Sequence, residues 1–177
     1  MIRVGLGRTT DSYADLSAPW GPGKAYPELA ALLGDAAATG APNAVYAGVR
    51  AALQGMGLDA ERFGGADWNP LGDLVARGQK VVLKPNFIRH WNPIEGASVD
   101  CVITHGAVVR AVADYAFLAV GSEGSVTIAE APQHDCDFEK IRAIVGLDEI
   151  VRFYETTLGR ELGVVDLRRE AVVYEDG

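Results

Sequence analysis

The chain has 177 residues, 49% of them apolar and 23% charged, with a formal net charge of −8. That length supports one sizeable hydrophobic core without requiring a second domain. The acidic balance argues against a nucleic-acid surface, which needs a basic face, and no apolar run approaches the roughly 18 residues of a membrane span. The start of the chain lacks the apolar core of a signal peptide, so the cytoplasm is the expected location. Cys101 and Cys136 form neither a C-x-x-C pair nor a metal-ligand spacing, and two thiols cannot build a four-thiolate cluster.

In chain order, Ile2–Leu6 reads as a first strand. Residues 9–42 are rich in Gly, Pro and Ala and read as an irregular loop with one short helix near Glu28–Leu33. A connection of that length is expected to cover a site or a partner surface. Pro42-Asn43 supplies a stop and an N-cap, and Val45, Tyr46, Val49, Leu53 and Met56 follow at helical spacing until Gly57. Asn69-Pro70 predicts another short helix, running to about Arg77 and closed by Gly78. The apolar run that follows reads as a buried strand stopped at Lys84-Pro85-Asn86, because Pro85 has no N–H and restricts Lys84 to extended geometry.

Residues 89–103 form a loop containing His90, Trp91 and Pro93. Thr104 is a candidate cap for the next helix, whose apolar stripe is Val108, Val109, Val112, Tyr115, Ala116 and Ala119, with Arg110 and Asp114 facing away. Ser125–Ala131 reads as a strand ended by Pro132. Asp137 caps a helix through Val145, and Leu147, Ile150, Val151, Tyr154 and Leu158 mark another. Gly163–Leu167 and Ala171–Tyr174 read as two further strands.

This order predicts an α/β domain over residues 1–177, with an open, mostly parallel sheet and flanking helices built around a βαβ unit at 79–131. The two strands of that unit should be parallel with a right-handed crossover, and their β-branched runs fit burial on both faces. Parallel strands share one carboxyl edge, where ligand crevices lie in open α/β sheets. Lys84 and Asn86 end one strand, Glu130, Gln133, His134 and Asp135 follow the other, and Thr104 and His105 open the intervening helix on the same rim.

Those residue types suit a small anionic or carboxylate-bearing ligand. Lys84 would neutralise it, Asn86 would orient it, and His105, which titrates near neutrality, would be the general acid–base group. Glu130 is the catalytic carboxylate, and Thr104, Gln133, Asp135 and His90 complete the ligand-binding set. Each has a plainer reading: Lys84 bridges to Glu130, Asn86 serves a turn, His105 is a first-turn helix residue, and Asp135 or Asp137 caps a helix. No diagnostic metal spacing is present, no P-loop, G-x-S-x-G or H-E-x-x-H motif occurs, and the cofactor stays open. Gly5-Leu6-Gly7-Arg8-Thr9-Thr10 resembles a phosphate turn but lacks its third glycine. The reaction stays open, and a non-catalytic half-domain or interaction module, docking a partner chain by its polar rim, is the alternative to an enzyme.

Several segments together resemble the DUF362 family: Trp68-Asn69-Pro70-Leu71-Gly72-Asp73-Leu74, Val82-Leu83-Lys84-Pro85-Asn86, Ile103-Thr104-His105-Gly106-Ala107-Val108-Val109-Arg110 with Asp114-Tyr115, and Glu130-Ala131-Pro132-Gln133 with Cys136-Asp137-Phe138. The likeness runs from about Asn43 to Arg168. It implies a cytoplasmic α/β protein, an enzyme of undetermined reaction. Relatives with ferredoxin-like cysteine clusters differ from this chain, which has none. The resemblance also implies that the chain corresponds to the N-terminal part of a larger protein. Exposed apolar surface and self-association, or a partner chain, near 165–174 are therefore expected.

Overall fold

Three short strands carry the fold of the computed structural model, which describes residues 3–9, 13, 15–38 and 40–169. They are β1 (Lys80–Leu83), β2 (Ser125–Glu130) and β3 (Leu162–Asp166). All pair in parallel, in the order β1-β2-β3, with Val81 opposite Val126 and Val126 opposite Leu162. Among the described residues the helices are α1 (Ala30–Leu33), α2 (Ala44–Gly55), α3 (Gly106–Val120), α4 (Phe138–Val145) and α5 (Leu147–Leu158). The chain is thus an α/β protein with a parallel open sheet, and no helix among the described residues is long and apolar enough to cross a membrane.

Local chemistry sets the helix ends. Asn43 Oδ1 accepts the Tyr46 N–H at 3.0 Å and starts α2. Asp137 Oδ1 accepts the N–H groups of Glu139 and Lys140 and starts α4. Gly146, at φ 70°, closes α4 and turns the chain straight into α5, a left-handed geometry that glycine adopts without steric cost.

Strand alternation divides the sheet into two unlike faces. One carries Val81, Leu83, Val126, Ile128, Leu162 and Val164, which pack with α3, α4 and α5 through Val109, Phe117, Ile141, Leu147 and Ile150. The other carries Val82, Thr127, Gly163 and Val165; Val82 is 63% exposed and Val165 37%, Thr127 and Gly163 are half-buried, and of that face only Ala129 is buried. The topology explains the asymmetry. When the strand order advances in one direction, successive right-handed crossovers stack their helices on the same face. The expectation that these strands would be buried on both faces is therefore corrected.

A second, smaller core lies on the far side of α3. Tyr26, Leu29, Leu33 and Ala37 from the segment before α2, with Tyr46 and Trp68, close over Ala111 and Tyr115. Because α3 lies between the two cores, Arg110 and Asp114 are buried rather than facing away from the apolar stripe, and the half-buried Val108 and Val112 lie on another side of the helix. Three further expectations differ. Residues 3–9 form no strand (Ile2 lies outside the described residues); they run against α2 so closely that a Cβ on Gly5 or Gly7 would overlap the carbonyls of Ala52 and Gly48. Residues 70–75 make turns rather than a helix. The cap of α3 is His105, not Thr104. The expected strand at Ala171–Tyr174 lies outside the described residues.

Candidate functional site

At the end of β1, the extended backbone that Pro85 imposes carries Lys84 across to β2, where its Nζ donates to Glu130 Oε2 at 2.7 Å. The two partners differ sharply in exposure: the Lys84 side chain is 66% exposed and that of Glu130 only 6%. Glu130 Oε1 accepts the Ala131 N–H at 2.8 Å, so both oxygens of this buried carboxylate are occupied. Beyond Pro85 the chain pairs with the segment before α3. Asn86 donates its N–H to Thr104 Oγ1 at 3.0 Å, the Thr104 N–H donates back to the Asn86 carbonyl, and Phe87 bridges Ile103.

Lys84, Asn86 and Thr104 therefore share one groove. It is about 330 Å³ in volume, and the rest of its wall is Val82, Leu83, Pro85, Val108, Val109 and Val112. It runs along β1, the edge of the sheet among the described residues, where no described strand pairs with the outer side of its backbone ladder. Polar groups occur only at one end of an otherwise apolar trough.

The remaining residues expected at this rim go elsewhere. His105 is the N-cap of α3: its Nδ1 accepts the Ala107 N–H at 3.1 Å, which fixes the neutral ring with its proton on Nε2. The ring lies flat against Tyr13 at 3.8 Å and edge-on to Trp20 at 4.8 Å. Burial lowers its pKa, with Asp100 acting weakly in the opposite sense. The long loop before α2 thus covers a residue, but the residue is one whose acceptor nitrogen already serves the helix.

Gln133 and Asp135 belong to a third group, beyond the end of β2. Arg89 donates to Gln133 and faces Asp135 Oδ1 at 3.7 Å, and its guanidinium sits over Trp91. His90 Nδ1 accepts the Asp137 N–H at 3.0 Å. Arg168 ties the same turn to β3, bonding Asp166 and the carbonyls of Gln133 and Cys136. Burial pushes the Cys136 thiol pKa up, the reverse of what an activated nucleophile needs. His134 is exposed at the lip of an open depression with Asp137, Asp166 and Arg168. Among the described residues no group of three His, Cys, Asp or Glu side chains is placed to hold a metal ion.

Two buried polar networks were missed from sequence. Arg110 Nε meets both oxygens of Asp114 at 3.0–3.1 Å, and Asp114 also accepts from the hydroxyls of Tyr46 and Tyr154. Burial, reinforced by Asp114, holds both phenols well above their ordinary pKa. Glu28, also buried, receives Arg50 at 2.5 Å and the Tyr115 hydroxyl at 3.0 Å. The i,i+4 spacing of Arg110 and Asp114 was the available signal, and it cannot say whether such a pair lies inside or outside. No family model matches the chain, and neither does any curated protein or any solved structure.

Proposed function

We propose that this is an interaction module of a DUF362-like α/β domain, which docks an extended apolar segment of a partner chain along β1. The observation that carries this reading is the composition of the groove at Lys84: six apolar residues form its wall and polar groups appear only at one end. A free parallel edge offers backbone donors and acceptors at strand spacing, and the flanking trough accepts alternate side chains, which is the physics of strand addition. The polar rim that would serve an enzyme is instead divided. Lys84 is engaged by Glu130, His105 by its own helix, and Gln133 by Arg89.

The test is selection from a random-peptide display library on the whole chain, followed by amide NMR with the enriched peptides. Peptides with alternating apolar residues that perturb Val81–Lys84 and Val108–Val112 support the reading. Failure to enrich any peptide, or perturbations confined to other elements, rejects it.

A second reading, capture of a small anionic ligand, rests on the exposed Lys84 ammonium beside the Asn86 side chain and the Thr104 hydroxyl. Titration with inorganic phosphate and with acetate separates the two. Saturable binding that Lys84→Ala weakens by about 1–3 kcal/mol, the range for a charge-assisted hydrogen bond, favours the ligand site.

A further inference from the structure

The segment before α2 encloses a second concavity, remote from the groove on β1. Its volume is about 230 Å³, and its wall includes Ser17, Pro19, Trp20, Asn43, Arg110 and Phe153. Arg110 is only 1% exposed. Each face and edge of its guanidinium can be followed. Nε meets Asp114, Nη1 donates to the Pro19 carbonyl at 3.0 Å, and Phe153 stacks on the plane at 3.8 Å. Nη2 has no partner among the described residues. Pro19 and Phe153, the two groups that grip the guanidinium on this side, belong to the cavity wall together with Arg110 itself.

An unmet donor on a buried guanidinium is costly, and native proteins satisfy such groups with a protein partner, an ordered water or a ligand. Size distinguishes the last two. At about 30 Å³ per water, the cavity holds roughly eight water volumes, while one water would satisfy Nη2. The walls are also fixed rather than collapsible. Asn43 Nδ2 donates to the carbonyls of Trp20 and Gly21, and the Trp20 indole donates to the Val145 carbonyl. Trp20 is held at φ 60°, a left-handed conformation unfavourable for a bulky residue and one that clusters at binding sites. Asp15, Ser17, Gly40 and Ala41 are exposed, so the mouth opens to solvent between the two loops.

We propose that this cavity is a binding site for a small ligand that presents a carboxylate or carboxamide oxygen to Arg110. The charge of Arg110 is already balanced by Asp114, whose own charge is shared with two tyrosine hydroxyls, so the site asks for an acceptor oxygen and stacks the rest of the ligand between Trp20 and Phe153. It does not depend on the β1 groove.

The Trp20 indole N–H, assigned with Trp20→Phe, reports occupancy by two-dimensional NMR. The probes are sodium acetate, acetamide and, at matched ionic strength, sodium chloride. Gly21 lines the cavity, and a side chain there would meet nothing within 4 Å of its Cβ. Gly21→Leu is therefore the blocking variant, with Ala41→Phe at the mouth as a second should the first melt early. The expected result is a saturable shift with acetate or acetamide, reduced at least tenfold in affinity by a folded blocking variant. A shift with acetate alone assigns a carboxylate, and a shift with both assigns a neutral acceptor. Absence of a saturable shift up to 100 mM, the same shift with chloride, or undiminished binding in the blocked variants overturns the proposal.

Discussion

Two charged pairs in this protein have opposite consequences, and burial decides between them. Lys84 reaches the buried Glu130 from the surface, where the ammonium keeps most of its hydration and water can replace it, so Lys84→Ala should cost about 1–2 kcal/mol. Asp114 is wholly buried and is, among the described residues, the only carboxylate paired with Arg110. Asp114→Ala leaves a buried cation unpaired and two phenols without their acceptor, which should cost about 3–5 kcal/mol in urea unfolding. A loss as small as that of Lys84→Ala would mean that Arg110 reaches solvent, contrary to the packing of α3. His105 adds a pH dependence. Its pKa is lowered on folding because the ring is half-buried, and Nδ1 must stay unprotonated to accept the Ala107 N–H. The unfolded chain therefore binds the proton more readily. The cap contribution is present above the ordinary histidine pKa near 6.5 and is lost as pH falls through the lower folded value. His105→Asn keeps an N-cap and should flatten that part of the stability–pH curve, while His105→Ala should lose about 1 kcal/mol at neutral pH. An unchanged slope in both variants would show that another group controls the acid limb.

At the level of elements, sequence reading succeeded where periodicity and caps agreed. Asn43 and Asp137 announced helix starts that the structure keeps, and Pro85 and Pro132 marked the ends of β1 and β2. It failed where a local signal lacked a tertiary partner. Asn69-Pro70 has the chemistry of a helix start, yet the residues after it make only turns, tied down by the Trp68 indole on the Leu58 carbonyl and by Asp59 on the Asn69 N–H. The segment around Gly5 and Gly7 alternates like a strand but lies on a helix, because glycine allows the backbones of the segment and α2 to touch. The candidate rim was legible as a list of residues. Its division was not, since the direction of each side chain depends on which neighbour reaches it first: Glu130 for Lys84, Ala107 N–H for His105, Arg89 for Gln133. The close approach at Gly7 is directly testable. A Cβ there would lie 1.9 Å from the Gly48 carbonyl oxygen, and backbone cannot yield that distance locally. Gly7→Ala should lift residues 3–9 from α2, seen as faster proteolysis of that segment and changed Gly48 and Ala52 amide shifts, with the melting temperature of the rest nearly unchanged. Identical proteolysis would argue against the contact.

At the scale of the molecule, the uncovered sheet face is the feature that the architecture leaves unexplained within one chain. Parallel sheets are ordinarily covered on both faces, and here, among the described residues, the helices packed on the strands lie on one. Val82 and Val165 are exposed on the other face, and Leu167 just beyond β3 is 44% exposed. This places the exposed apolar surface next to the 165–174 region, of which residues 170–174 lie outside the described ones. A net charge of −8 opposes contact between two copies of the chain, and screening that repulsion with salt uncovers the apolar attraction, since the Debye length falls from about 10 Å at 0.1 M to about 3 Å at 1 M. Sedimentation velocity at micromolar concentration should therefore show association that grows between 0.05 and 0.5 M sodium chloride, a range spanning roughly a threefold change in screening length. Val165→Lys, on the open face and away from the β1 groove, should abolish it without moving the melting temperature by more than a few degrees, because among the described residues Val165 belongs to neither core. Val82→Lys touches both the face and the groove, so it should abolish self-association and peptide binding together, whereas Val165→Lys should spare the peptide. A chain that stays monomeric at every salt concentration would mean that the open face is not sticky enough to matter, and the case for docking would then rest on the β1 edge alone.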